Sequence, residues 1–169
     1  MYLPCVPSSC IDGNQDGVGA ALARQSLPRN EYFVTSKIPG GLNASATTAA
    51  LEQALDQLKL AYVDLMLLHW PGSGARSRQE QWIALEAWAK QGKARAIGIS
   101  HYCRHHLDDI LAVATLPVAL NQVQYHVGMV KSTCHHTSSL CCVRTTIMQT
   151  RCAGSRETGR ITRQRLHEG

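Results

Sequence analysis

Between residues 31 and 129 the apolar positions fall into two alternating rhythms. Short, nearly unbroken runs rich in β-branched and aromatic residues mark strands. Longer stretches with apolar residues three or four apart mark helices. Residues 32–36 (YFVTS) form the first predicted strand, and Pro39, Gly40 and Gly41 break it. Asn43 or Ser45 suits the cap of the next helix, which sets Leu51, Leu55 and Leu58 on one face. Residues 62–68 (YVDLMLL) are almost wholly apolar, as befits a parallel strand covered on both sides. A loop with Pro71, Gly72 and Gly74 follows. Ser77 and Glu80 then have the spacing of a capping box, Trp82, Leu85 and Ala89 share a helical face, and Gly92 suits the position past that helix. Residues 94–99 (ARAIGI) are the third strand, and Leu107, Leu111 and Ala114 mark the third helix. Residues 118–120 open a fourth strand that runs into Asn121 and Gln122.

Strands that alternate with helices predict an α/β fold with a parallel sheet and right-handed crossovers. A barrel and an open doubly wound sheet both satisfy that order. No G-x-G-x-x-G follows a strand, so the dinucleotide-binding open sheet has little support. A complete (β/α)₈ barrel takes roughly 250 residues. The 169 residues here therefore predict a partial one.

Residues 130–169 break the pattern. They contain no Phe, Trp or Tyr and show no sustained period, so we expect an unstructured tail. The formal charge of +5 arises there too: residues 1–129 carry 10 basic and 10 acidic side chains, and residues 130–169 carry 7 and 2. The excess is thus no sign of a basic binding face, and the arginine-rich end lacks the aromatic platform of a nucleic-acid site. Cys134, His135, His136, Cys141 and Cys142 lack paired ligand spacing, so no metal is expected. Seven cysteines without a framework spacing point to reduced thiols. No run is apolar and long enough to cross a bilayer, and no signal peptide is evident, so the expected location is cytoplasmic.

The candidate chemistry sits where the strands end. Lys37, His69, Ser100 and Gln122 close four successive predicted strands, at spacings of 32, 31 and 22 residues. Each alone has an ordinary reading: a solvated lysine, a hydrogen-bonding histidine, a helix-capping serine, a neutral strand end. In register on parallel strands they would converge at one mouth, the face on which barrel enzymes build their active sites.

At these residues the sequence resembles the aldo-keto reductases. The likeness rests on residues 33–37 (FVTSK), 58–71 (LKLAYVDLMLLHWP), 92–100 (GKARAIGIS) and 121–126 (NQVQYH), in the family's order and spacing, and spans about residues 11–129. It implies a TIM barrel that reduces aldehydes or ketones with NADPH. A tyrosine hydroxyl would protonate the developing alkoxide, a lysine would lower that tyrosine's pKa, and a histidine would orient the carbonyl. By position Lys37 and His69 match the catalytic lysine and histidine. Ser100 and Gln122 match groups that hold the nicotinamide carboxamide, and Trp70 matches an aromatic of the substrate pocket.

The departures also count. Asp12 stands where the family tyrosine should be, in Asp12-Gly13-Asn14-Gln15 before Val18-Gly19; no aspartate stands near Pro7; and the family asparagine after the strand-end serine is His101. The segments that grip the cofactor's pyrophosphate and 2′-phosphate have no match here. The expectation is therefore an N-terminal extension over 1–10, a partial aldo-keto reductase barrel of about four βα units over 11–129, and a tail over 130–169 of frameshifted or intron origin. Carbonyl reduction would be weak or lost in this truncated form. A non-catalytic scaffold, or a broken gene product, is the alternative. Open sheet edges leave self-association as a further expectation.

Overall fold

Alternation of side chains along parallel strands decides which residues meet the helices and which face away from them. In the computed structural model, which describes residues 4–10 and 12–123, one sheet runs β1 (Cys5–Pro7), β2 (Phe33–Ile38), β3 (Val63–Leu68), β4 (Ala94–Ser100) and β5 (Asn121–Gln122). Its strands are parallel throughout and lie side by side in chain order. Between them stand α1 (Gln15–Leu22), α2 (Ala44–Leu58), α3 (Ala75–Trp88) and α4 (Arg104–Leu111). This is half of a (β/α)₈ barrel, four βα units and a fifth strand. The tail expected over 130–169 lies outside the described residues.

The first unit, β1 and α1, has no strong signal in the sequence. β1 is three residues long and ends in proline, and α1 holds Gly17 and Gly19. Yet β1 pairs in register with β2, with Cys5 opposite Phe33 and Pro7 opposite Thr35. Gly19 is required by packing, since a Cβ there would lie 2.1 Å from the carbonyl oxygen of Gln57 at the end of α2. Residues 5–7, read as part of an extension, thus supply the sheet's first strand.

Val34, Ile38, Met66, Leu68, Ile97 and Ile99 point to the helix side. There they join Leu51, Leu55 and Leu58 of α2, Trp82, Leu85 and Trp88 of α3, and Leu107 and Ile110 of α4 in one buried core. Each large apolar side chain so buried contributes about 1.5–3 kcal/mol. The α2 face is as expected, and Asn43 is its cap, accepting from the Ala46 amide at 2.8 Å. On α4 the buried partner of Leu107 is Ile110, while Leu111 is exposed.

α3 begins earlier than its capping-box spacing suggests. Gly74 is its N-cap, Ser77 lies inside the helix, and Glu80 pairs with Arg76 at 2.7 Å instead of returning to an amide. The early start places Arg78 where its guanidinium meets Asp109 of α4 at 2.6 and 2.9 Å. Glu86, also on α3, is almost wholly buried. It accepts from Trp82 Nε1 at 2.7 Å, from the Thr115 hydroxyl, and from the Thr115 and Leu116 amides at 2.7 and 2.9 Å. Burial alone would raise the Glu86 pKa, but these donors outweigh it and hold the carboxyl below its ordinary range. They also fix the chain just before β5.

Cys5 and Cys10 are free thiols, as expected. Cys103 departs from that expectation and is disulfide-bonded. Among the described residues no helix is long and apolar enough to cross a membrane.

Candidate active site

The face opposite the core carries Thr35 and Lys37 of β2, Leu65 of β3 and Gln122 of β5, which line a cavity of about 140 Å³ with Asp12 and Asn14. Register brings the strand ends level. Lys37 pairs with Leu67, two residues before His69, and Ser100 pairs with Gln122. The His69 amide donates to the Ile38 carbonyl at 2.9 Å, so the histidine continues β3 by one step.

The charged and titratable groups here feel one another. Burial lowers the Lys37 pKa, and the Asp12 carboxylate opposes the shift. Burial also lowers the His69 pKa, helped by the Lys37 charge and His101 and opposed by Asp12. His101 is lowered by burial and then by Lys37. Its ring stacks on His69 with centroids 6.3 Å apart, and Trp70 lies 5.0 Å from His69 on another side. A neutral imidazole beside an ammonium group, next to an indole exposed at 37%, is suited to binding an uncharged polar group such as a carbonyl oxygen.

The rim is built for close contact. Gly40 has no alternative, because a Cβ there would lie 1.7 Å from the Trp70 carbonyl oxygen. Gln81 of α3, fully buried, ties the loop after β2 to the helix layer: it accepts from the Gly41 amide at 3.0 Å and donates to the Pro39 carbonyl at 2.8 Å. Arg78 Nη1 reaches the Gly72 carbonyl at 3.4 Å on the neighbouring loop.

Ser100 and Gln122 are adjacent but differ in what they have left to offer. The Ser100 hydroxyl is buried and donates to the Gln122 backbone carbonyl at 2.7 Å, so its proton already joins β4 to β5. Among the described residues Gln122 Oε1 is buried without a hydrogen-bond partner, an acceptor suited to an amide N–H.

Two residues at the mouth were not signalled by the strand pattern. Ser9, in the loop after β1, places its hydroxyl 3.3 Å from His69 Nδ1. His101 holds φ +58, the left-handed conformation in which asparagine is favoured over bulkier side chains. No tyrosine hydroxyl among the described residues opens on the mouth. Tyr32 and Tyr62 precede β2 and β3 at the opposite end. Tyr102 is buried in the helix-side core with its hydroxyl unpaired, and burial drives its pKa upward. Tyr125 lies outside the described residues.

The model of the aldo/keto reductase family matches residues 12–145. The chain belongs to that family. It is 39% identical over 122 residues to the glyoxal reductase of Bacillus subtilis (strain 168), a stretch covering 72% of this chain and 44% of the relative. Among solved structures it superposes with a TM-score of 0.69 and 34% identity on MGS-M4, an aldo-keto reductase from a Medee basin deep-sea metagenome library, covering 72% of this chain and 45% of that one. A silkworm aldo-keto reductase complexed with NADPH shares the fold at a TM-score of 0.66 and 23% identity, over 72% and 41% of the two chains. This aldo-keto reductase chain thus spans less than half the length of the relatives it matches. The family match begins at Asp12 and runs past Met129, the end of the stretch whose motifs resemble the family's.

Proposed function

We propose that this chain carries the carbonyl-orienting part of an NADPH-dependent aldehyde or ketone reductase site, and that it reduces carbonyls weakly or not at all as it stands. The observation behind this reading is the company Asp12 keeps. Lys37, His69 and His101 surround a mouth in which a carboxylate occupies the expected proton-donor position. His69 orients the carbonyl oxygen, and Trp70 covers one side of the bound substrate. Lys37, placed to favour a phenolate, faces the Asp12 side chain in place of a tyrosine hydroxyl. NADPH, when bound, supplies the hydride. Gln122 Oε1 fits its carboxamide as an acceptor in search of a donor. Ser100 contributes by holding Gln122 in place.

Loss of a general acid costs about 10²–10⁴-fold in rate. NADPH oxidation with glyoxal at pH 7 should accordingly fall at least about 100-fold below that of a tyrosine-bearing family enzyme assayed beside it. Comparable turnover would overturn the reading. A second reading, a non-catalytic scaffold, draws on the outer edges of β1 and β5, which pair with no further strand among the described residues. Titration followed by NADPH fluorescence separates the two: micromolar affinity favours the residual reductase site, and no binding favours the scaffold.

A further inference from the structure

The proposed role of His69 requires a particular tautomer. To donate to a carbonyl oxygen from Nε2, a neutral imidazole must carry its proton there and leave Nδ1 as an acceptor. Some group has to hold Nδ1 in that state, and the Ser9 hydroxyl is 3.3 Å from it.

Ser9 is well placed to do so. It is 1% exposed, and its amide donates to Asn14 Oδ1 at 3.0 Å. Its neighbours tie the loop to β2: the Ser8 amide donates to the Thr35 carbonyl at 2.8 Å, and the Cys10 amide donates to the Lys37 carbonyl at 3.1 Å. Gln15, at the start of α1, donates to the Ser36 hydroxyl at 2.6 Å on the other side of the same strand. With the backbone fixed on both sides, the hydroxyl crosses from the β1 loop to the end of β3.

We propose that Ser9 is a positioning residue that donates its hydroxyl proton to His69 Nδ1, fixing the ring and its Nε2–H tautomer toward the mouth. This rests on the carbonyl-orienting role given to His69. The opposite arrangement, Nδ1–H donating to the serine oxygen, would leave Nε2 as a base instead of a donor. Burial disfavours the imidazolium, with Lys37 and His101 assisting and Asp12 opposing, and it is in the neutral ring so favoured that the tautomer matters.

The test is a two-bond ¹H–¹⁵N spectrum of the imidazole rings in the full chain at pH 7.5 without cofactor or substrate, with His69 assigned by His69→Gln. The expected result is a preference for Nε2–H of about fivefold or more, the weight of one net hydrogen bond. Ser9→Ala should reduce that preference severalfold and raise the His69 pKa, and Ser9→Thr should restore both. A predominant Nδ1–H form in the wild-type chain overturns the proposal whether or not any variant folds. So does a Ser9→Ala spectrum that matches the wild type at His69. Neither result depends on turnover, so an inactive chain leaves this inference standing while a wrong tautomer sinks it alone.

Discussion

At the N-terminal ends of the strands, the buried Asp64 carboxylate accepts from Arg29 at 2.7 Å, from Arg95 at 3.1 Å and from the Val34 amide at 2.9 Å. Both guanidinium groups also lie over the Tyr62 ring, at 4.0 and 4.6 Å, and Arg95 donates to the Tyr62 hydroxyl at 2.8 Å. At the C-terminal ends, Lys37 and His69 carry pKa values depressed by burial, and Gln122 keeps an orphan acceptor. One end uses its charges to join strands. The other holds a lysine and a histidine whose charged forms burial disfavours and, among the described residues, a buried glutamine oxygen with no partner. In a parallel barrel the first arrangement marks stability and the second marks a binding face.

The contrast is sharpest at Arg29. Arg29→Ala removes one partner of a buried carboxylate and the cation over Tyr62. It should cost about 3 kcal/mol, measured by urea unfolding. Lys37→Met at the mouth should move stability by no more than about 0.5 kcal/mol in the same assay. Equal losses at both sites would erase the distinction between the two ends. A smaller effect of opposite sign is expected at His101, whose left-handed backbone strains any residue with a Cβ. His101→Gly should stabilise the chain by about 1 kcal/mol, read from the same unfolding curves.

The mouth should also make stability depend on pH. His69 and His101 have folded pKa values below their ordinary value, so the unfolded chain binds more protons. Their contribution is fully present above about pH 6.5 and is lost as pH falls through that value toward the folded pKa values. His106, also depressed, adds to the same window. Melting temperature should therefore fall between pH 7.5 and 5.5, and less steeply in a His69→Gln, His101→Asn double variant. A fall of the same steepness in both would place the titration elsewhere, as at His106.

Much of this was legible in the sequence, for identifiable reasons. β3 and α2 announce themselves because burial on both strand faces, or on one helix face, imposes a composition that a short window reveals. That Lys37, His69 and Gln122 lie at the ends of parallel strands could be read because a parallel barrel repeats its geometry, so equivalent strand ends recur along the chain. β1 could not be found this way, since three residues ending in proline have no period; only pairing to β2 makes them a strand. Ser77 and Glu80 satisfied a local motif that tertiary contacts of Arg78 overrode. Ser9 was invisible because its relation to His69 crosses 60 residues and depends on a loop pinned to β2. The committed hydroxyl of Ser100 belongs to the same class, a contact that exists only once β5 has docked.

The convergence of Lys37, His69, His101 and Asp12 is the claim on which the rest depends, and the His69 pKa measures it directly by NMR titration. It should lie below 6.5 in the wild-type chain, rise in Lys37→Met as the neighbouring cation is removed, and fall further in Asp12→Asn as the opposing carboxylate is lost. A His69 pKa that ignores both substitutions would mean that these groups do not share a mouth.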